Sequence, residues 1–437
     1  MQKPNRTTLN NNPKQELIVS TDTRVLVVGT TPDYIDWIRN AAPGRALFLT
    51  DPALRQKAKE PAPGPDEEVV CNLEQAGRVF EALSAHTRQQ RIAIDGVACF
   101  DCESLPVAAV LAQQLGLDFV SPAAVAACRD KSASKRLWRE KGVLCPAFAP
   151  VFSEADAVTF FEAHGACVIK PVSGAGSELV FCCDTKAACG RAFGLVKEGL
   201  LCRAHNRLYH TTDNRAPIVA ETWLTGPEFS CDFLVDGGRA VIVRLTQKIV
   251  APDTAFGTAM AYVLIDRLPD IDNHALARHL AAGAGPLGID RALCMADFVL
   301  ESGRPAFLEI TPRPGGDCLP GLIRHGLGID TLLLSLDLAR HRPLPAAFDP
   351  APVPMAGLRF HARQAGVLTN IDWSQVAAAP GVREVAGLRQ PGHAIVLPPD
   401  DYDSFLLGSA IFDLQNPADP AGECQALLSR LIVEIRP

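Results

Sequence analysis

Residues 292–316 carry two carboxylates around a short turn, which strongly restricts how this part of the chain can fold. Asp297 and Glu309 flank the turn-like segment 301–304, and a hairpin with a loop of about three residues would bring them nearly opposite each other. Paired carboxylates with no neutralising partner repel each other, and such a pair usually holds a hard divalent cation. The segment therefore predicts a magnesium site, and the alternative interpretation is an exposed hairpin with scattered charges.

Strand alternation assigns the side chains of this hairpin to two faces. Glu309, Thr311 and Arg313 are expected to share one face. The apolar side chains expected on the opposite face are Phe298, Leu300, Leu308 and Ile310. Val299 and Phe307 fall on the carboxylate face, so the alternation is imperfect.

The length and composition predict a multidomain globular protein. A chain of 437 residues that is 48% hydrophobic has material for several cores, and about two to four domains are expected. The net charge of −7 and pI of about 5.8 give no reason to expect nucleic acid or an anionic membrane as a partner. No apolar stretch reaches the length of a bilayer span, and residues 1–22 read as a polar, disordered leader rather than a secretory signal. The expected location is therefore the cytoplasm.

Fourteen cysteines are scattered, mostly in apolar runs, which is typical of small buried side chains in a reducing compartment. Cys99 and Cys102 form the one C-x-x-C motif, and a redox-active pair is the alternative interpretation there. A zinc site would need a second pair at suitable spacing, and the sequence contains none.

The first part of the chain alternates short apolar strands with amphipathic helices, which predicts a parallel sheet with helices on both faces. The expected strands are 24–29, 45–50 and 91–95, and the expected helices are 33–40, 73–88 and 106–115. This unit is assigned to residues 23–122. The turn at Gly29 lacks the G-x-G-x-x-G pattern, and the sequence contains no Walker A motif, so neither familiar nucleotide site is supported.

A glycine-rich loop, residues 173–177, lies between two strand-like segments in the middle of the chain. It follows a basic helix at 130–141 and a strand that ends at Lys170. Glycine allows backbone N–H groups to approach and surround phosphate oxygens, so the loop predicts a flexible flap over phosphate. A plain hairpin linker is the alternative.

The last part of the chain begins after a proline-rich segment, 343–354, that is interpreted as a linker. Residues 355–437 contain short strands and turns and are assigned to a small α+β cap.

Taken in order, these segments resemble the ATP-grasp superfamily. The resemblance covers about residues 24–435 and is greatest to the carboxylate–amine ligase branch, such as L-amino-acid ligases. The shared segments are 115–119, 130–136, 309–316 and 365–370. The resemblance implies α/β and α+β domains: an N-terminal parallel-sheet domain, an ATP-grasp domain at 123–342 with a nucleotide-binding lid at about 145–225, and the C-terminal cap.

The resemblance also implies roles for individual residues. Lys131 and Lys170 would bind the α- and β-phosphates. The loop residues that would close over the triphosphate include Ser173, Gly174, Gly176 and Ser177. Glu221, Trp223 and Leu224 would form the hinge against adenine, and Glu228 would bind the ribose hydroxyls.

Asp297 and Glu309 would hold two Mg²⁺ ions, for which Mn²⁺ is a candidate substitute, and Arg313 would act on the transferring phosphoryl group with Lys170. The family usually has Asn at the third metal position, where this chain has Thr311. A hydroxyl can still coordinate Mg²⁺, but it is shorter than an amide, so the second ion is expected to bind differently or more weakly.

The activity that the resemblance implies is ATP-dependent, ADP-forming joining of a small carboxylic acid to an amine, with an amino acid expected as the amine. The partners would be small molecules rather than nucleic acid or membrane, and the family allows a homodimer. The alternatives are a carboxylase or purine-pathway ligase acting through carboxyphosphate or formyl phosphate, and an ATP-binding module without turnover, which Thr311 favours. Lys248 is interpreted as a surface lysine rather than a phosphate ligand, and Asp317 and Arg324 are candidates for substrate selection by position only.

Overall fold

The structure is a computed structural model that describes residues 22–437 apart from 211–216, 251–253, 344, 346 and 349–352. The predicted leader lies outside the described residues except for Asp22, which begins the first strand. Half of the predicted linker at 343–354 also lies outside them. None of the helices in the described part of the chain is both long and apolar enough to cross a membrane.

The N-terminal unit is built on the predicted parallel sheet. Its elements are β1 (Asp22–Val28), α1 (Pro32–Ala41), β2 (Ala46–Thr50), α2 (Pro52–Gln56), β3 (Glu68–Val70), α3 (Ala76–Gln90), β4 (Ile92–Ala98), α4 (Leu105–Leu115) and α5 (Pro122–Arg129). The strand order is β3-β2-β1-β4, with all neighbours parallel, so the fold class expected for this unit is confirmed. The strands are buried because helices cover both faces.

The lid has a core of its own around a four-stranded antiparallel sheet. It follows α6 (Lys131–Glu140), which Asp130 caps by accepting hydrogen bonds from the backbone N–H groups of Ser132 and Ala133. Its elements are β5 (Phe148–Pro150), α7 (Glu154–His164), β6 (Cys167–Pro171), β7 (Phe181–Cys183), α8 (Lys186–Cys202) and β8 (Ile218–Thr222). The strand order is β5-β8-β6-β7, which places Lys170 and Glu221 on adjacent strands.

The rest of the chain is organised around an eight-stranded sheet. Its first elements are β9 (Glu228–Asp236), β10 (Arg239–Val250), β11 (Ala259–Leu264), α9 (Asn273–Ala284), β12 (Arg291–Glu301), β13 (Arg304–Thr311), α10 (Leu319–Leu327) and α11 (Thr331–Ala339). The later elements are β14 (Met355–His361), β15 (Gly366–Asp372), α12 (Ser374–Ala377), β16 (Val382–Gly387), β17 (Ala394–Ile395), β18 (Leu406–Asp413), α13 (Pro420–Leu428) and β19 (Ile432–Arg436). The order β13-β12-β9-β10-β11-β14-β18-β16 continues across the predicted linker, because β14 pairs with β11. Three strands of the region predicted as a cap, β14, β16 and β18, therefore belong to the large sheet, and the other three form a separate sheet in the order β17-β15-β19.

The predicted carboxylate hairpin is present, and Asp297 lies directly opposite Glu309. The connection contains two residues, Ser302 and Gly303, both with positive φ, as a tight hairpin turn requires. A register shift after Asp297 adds one residue on β13, so a two-residue turn and a bulge produce the pairing that a three-residue loop was expected to give.

Because of the bulge, two side chains lie on the face opposite to the predicted one. Leu308 was expected in the apolar layer, but it lines a cavity, while Phe307 is buried against Trp138 and Phe298, with ring centroids 5.8 and 5.9 Å away. The reason is that Leu308 is the unpaired residue of the bulge, and one extra residue exchanges the two faces.

A buried ion pair holds the loop that follows β13. Asp232 and Arg244 are fully buried on neighbouring strands, with Arg244 Nε 3.2 Å from Asp232 Oδ2. The other carboxylate oxygen accepts a hydrogen bond of 3.0 Å from the backbone N–H of Gly315. Because both oxygens are used, the pair fixes the loop that carries Arg313 against the sheet.

We expect Asp232→Asn to destabilise the protein by about 3–5 kcal/mol, because it leaves the Arg244 guanidinium buried without a countercharge. Asp236→Asn, on the same strand, removes one partner of a more exposed pair with Arg291 and should cost at most about 1 kcal/mol. Urea unfolding of both variants measures the difference. Equal losses of stability would contradict the assigned role of the buried pair.

Candidate active site

A cavity of about 640 Å³ lies between the lid and one face of the eight-stranded sheet. Most of the side chains singled out in the sequence line it. These residues are Lys131, Lys170, Gly174, Gly176, Ser177, Glu221, Trp223, Leu224, Glu228, Asp297, Glu309 and Arg313. The volume is in the usual range for a small-molecule site.

Two of the predicted residues are not among the lining residues. The Ser173 side chain is buried, and its hydroxyl donates a 2.8 Å hydrogen bond to the carbonyl oxygen of Leu208. Thr311 is also buried, opposite Met295 on β12. The geometry thus does not bring these two hydroxyls to the cavity wall.

Glu221 is the centre of a buried charge cluster at the base of the lid. Its two carboxylate oxygens lie 2.8 Å from Lys170 Nζ and 2.9 Å from Lys135 Nζ, and Glu221 is only 2% exposed. Burial alone would raise the pKa of Glu221, but the two ammonium groups outweigh burial and lower that pKa. The carboxylate is therefore ionised, and it orients Lys170.

Lys135 is a site residue that sequence reasoning missed. It is fully buried, and it also donates a 2.9 Å hydrogen bond to the carbonyl oxygen of Leu308 on the bulge. Burial lowers the pKa of Lys135 to about 8, although Glu221 acts in the opposite direction. The available signal was its position four residues after Lys131, on the same face of α6.

Two neighbouring residues of the glycine-rich loop have a left-handed backbone conformation. Gly176 and Ser177 both have φ near +60°, a region that glycine adopts without strain. The Ser177 hydroxyl donates a 2.9 Å hydrogen bond to the carbonyl oxygen of Gly257 across the cavity, and Lys131 Nζ lies 3.3 Å from the carbonyl oxygen of Gly174. The loop is thus positioned over the cavity from both sides.

Each predicted metal-binding carboxylate has a lysine beside it. Lys131 Nζ lies 3.6 Å from Glu309 Oε2, and Lys248 Nζ lies 3.5 Å from Asp297 Oδ2 while it also contacts Glu228. The surface interpretation of Lys248 was wrong, because its side chain is 7% exposed and lines the cavity. Burial would lower the pKa of Lys248, but Asp297 and Glu228 outweigh burial and raise it.

The residues present suit a hard divalent cation. Asp297 and Glu309 are directly opposite on paired strands and both line the cavity, so two carboxylates converge on one small volume. Mg²⁺ is normally held by one or two carboxylates together with phosphate oxygens. Asp297 and Glu309 would supply the protein ligands, and the neighbouring lysines would supply charge for the phosphates.

Arg313 reaches the cavity from the loop after β13 and is held by the N-terminal unit. Its Nε donates to Cys102 Sγ at 3.1 Å, and its Nη1 donates to the carbonyl oxygen of Pro314 at 2.7 Å. Burial would lower the pKa of Arg313, but Cys102 and nearby carboxylates, including Glu309, raise it. The guanidinium is a fixed positive charge, and Cys102 of the C-x-x-C motif is a free thiol that contacts it.

The opposite end of the cavity is apolar and partly open. Trp223 and Phe256 face each other edge to face, with centroids 6.3 Å apart, and are 42% and 36% exposed. Exposed aromatic rings at the mouth of a cavity can stack on a planar heterocycle. The cavity therefore combines an apolar end with a charged end, as a nucleotide requires.

Comparison with known proteins agrees with this geometry. The family model described as "ATP-grasp domain" matches residues 164–320, which include the lid strand of Lys170 and the carboxylate hairpin. This match covers about a third of the chain. The crystal structure of L-amino acid ligase from Bacillus licheniformis has the same fold, with a TM-score of 0.76 and 18% identity over 95% of this chain and 99% of that one.

Sequence relatives lie in the carboxylate–amine ligase branch of the ATP-grasp proteins. D-alanine–D-alanine ligase of Cupriavidus metallidurans is 28% identical over 220 residues, which are 47% of this chain and 61% of the relative. Carnosine synthase 1 of Mus musculus is 25% identical over 328 residues, 69% of this chain and 36% of the relative. The chain thus spans less than two thirds of the length of either protein.

The pKa of Lys135 leads to a pH-dependent stability. Its folded value, about 8, is below the value of 10.5 expected for an exposed lysine, so the unfolded chain binds more protons between these two pH values. Wild-type stability should therefore gain up to about 3 kcal/mol relative to Lys135→Met as the pH rises through this window. Urea unfolding at several pH values measures the gain, and Lys186→Met, on the exposed face of the lid, is the matched control. Parallel pH curves for wild type and Lys135→Met would contradict the assignment.

Proposed function

We propose that this protein is an ATP-dependent, ADP-forming carboxylate–amine ligase. The observation that carries the proposal is the Asp297–Glu309 pair, which shares one cavity with Lys131, Lys170 and Arg313. Carboxylates for a divalent cation, lysines for phosphate and a fixed guanidinium are the parts that phosphoryl transfer needs. The names of two sequence relatives, D-alanine–D-alanine ligase and carnosine synthase 1, support the choice of acceptor chemistry.

The chemistry begins with a carboxylate, which is a poor electrophile because its leaving group would be oxide. Transfer of the γ-phosphoryl group from ATP to a carboxylate oxygen gives an acyl phosphate and ADP. A neutral amine then attacks the carbonyl carbon, the C–O bond to phosphate breaks, and an amide and inorganic phosphate leave. The proton that the amine nitrogen loses is carried away on the phosphate.

The residues of this chain position the reactants and neutralise charge. Lys131 and Lys170 bind the α- and β-phosphates, and Arg313 stabilises the charge that develops on the transferring phosphoryl group. Asp297 and Glu309 would hold Mg²⁺, with Mn²⁺ as a substitute, and the ion would supply positive charge that neutralises the phosphates. Two such ions are proposed, and the second would bind more weakly because the buried Thr311 hydroxyl does not reach the cavity wall.

The lid has the contacts needed to exclude water from an acyl phosphate. Beyond the Ser177–Gly257 bond, Arg203 on the lid side donates hydrogen bonds to the carbonyl oxygens of Pro399 and Asp400, at 3.2 and 2.9 Å. Tyr402 packs against the lid core from the same loop. These contacts would hold the lid against the C-terminal region during turnover. A homodimer is also part of the proposal, and its only support is the resemblance to the family.

Lys170→Ala and Glu309→Ala should each lower ADP formation at least about 100-fold, because each removes a charge that acts on the phosphates. The assay contains ATP, Mg²⁺ and pooled amino acids and follows ADP. Lys186→Ala and Glu162→Ala, an exposed ion pair on the lid, are the matched controls and should retain full activity. Full turnover by either site variant would contradict the site assignment.

The same assay separates the proposed reaction from its alternatives. Phosphate release that depends on an added amine supports the ligase. Release that depends on bicarbonate supports a carboxylase instead, and tight ATP binding with no release in any mixture supports a module without turnover.

Arg313→Ala should bind ATP as tightly as wild type but form product at least about 100-fold more slowly, because its guanidinium acts on the transferring group rather than on the nucleotide. Calorimetry with ATP and product analysis measure the two properties. Arg291→Ala, which loses only a partly exposed ion pair, is the control. Unchanged product formation by Arg313→Ala would contradict its role.

A further inference from the structure

The charged end of the cavity contains more charged side chains than those assigned to the nucleotide and its cation. Arg359 on β14 lines the same cavity, together with Gly316 and Asp317. β14 lies four positions away from β12 in the sheet order, so Arg359 and Asp297 reach the cavity from different strands of the same sheet. The nucleotide and its cation are already matched by other residues, and Arg359 is an additional, partly buried positive charge.

The Arg359 guanidinium is held in one orientation, but not all of its N–H donors have an acceptor among the described residues. Its Nε lies 2.5 Å from Asp317 Oδ2, and its Nη1 donates a 3.3 Å hydrogen bond to the carbonyl oxygen of Ala259. Among the described residues, Nη2 makes no hydrogen bond, and the side chain is 20% exposed. A guanidinium has five N–H donors in a planar fork, so donors remain for a ligand in the cavity.

Asp317 is held in place by the loop that carries Arg313. It has φ +60°, an uncommon conformation for a residue other than glycine, and it follows Gly316. A Cβ atom on Gly316 would lie 3.9 Å from the Tyr34 hydroxyl and 4.0 Å from Arg313 Nη1. The Asp317–Arg359 pair therefore begins at the residue after Gly316, which lies beside the guanidinium proposed to act on the phosphoryl group.

A planar fork beside the reacting centre is suited to a carboxylate, which it can bind through two parallel hydrogen bonds. In the proposed reaction the donor carboxylate must lie at the γ-phosphate, near Arg313. For a donor with a single carboxylate, a second carboxylate in the same cavity belongs to the amine substrate. Building on the proposed function, we infer that Arg359 binds the carboxylate of an amino-acid acceptor and that Asp317 positions its guanidinium.

The first test compares amino acids with their primary amides as acceptors, in pairs that differ only in the carboxylate, with the donor kept constant. Wild type should prefer the acid, and Arg359→Gln should raise KM for the acid about 10- to 100-fold, the usual effect of losing a charge-assisted pair. KM for the amide and for ATP should not change. Arg383→Gln, an exposed arginine of the same region, is the control. Asp317→Asn should shift KM for the acid in the same direction by a smaller factor.

The second test is independent of turnover. Calorimetry measures the binding of the same acids and amides to protein saturated with ADP and Mg²⁺. If wild type binds the acids and Arg359→Gln does not, the carboxylate site is supported. If no amide product forms in the same experiment series, only the proposed function fails. The inference would be overturned if Arg359→Gln weakened the binding of acids and amides equally, or if wild type bound no amino acid. If simple amines were still joined to the donor in that case, the proposed ligase function would stand without the carboxylate site.

Discussion

One buried ammonium group, that of Lys135, joins the two walls of the cavity. It contacts Glu221 on a lid strand and the carbonyl oxygen of Leu308 on the large sheet. Glu221 in turn holds Lys170, which is proposed to bind phosphate. The position of Lys170 therefore depends on the charge of Lys135, which does not itself line the cavity. An unpaired charge in a dry interior is very costly, and this cost forces the three groups to stay together.

The bulge on β13 provides the carbonyl group that Lys135 contacts on the large sheet. A carbonyl group in a regular ladder is already bonded to its neighbour, whereas the extra residue of a bulge is left unpaired. Leu308 is that residue, and its carbonyl oxygen accepts a hydrogen bond from Lys135 Nζ. The same irregularity keeps Glu309 opposite Asp297 after a two-residue turn. The lid anchor and the carboxylate pair thus share one local departure from strand geometry.

Local patterns predicted the parts of the site that are close together in the chain. Asp297 and Glu309 are joined by a short turn, so their pairing follows from the hairpin alone, and the parallel N-terminal sheet follows from alternating strands and helices. Lys248 was misjudged because its partners lie on β9 and β12, and only the order of strands in the sheet reveals that contact. Arg359 has no local signal at all, because β14 joins β11 nearly a hundred residues later in the chain. The exchange of Phe307 and Leu308 depends on a single inserted residue, which alternation cannot detect.

The central claim is that Asp297 and Glu309 share a divalent cation with a nucleotide held under the lid. The most direct measurement is a crystal structure of the protein with Mn²⁺ and ADP, with the metal located by its anomalous scattering. We predict an anomalous peak within bonding distance of both carboxylates, with the adenine beside Trp223 and the phosphates near Lys131 and Lys170. A bound ADP with no metal between Asp297 and Glu309, or with its phosphates outside this cavity, would contradict the account.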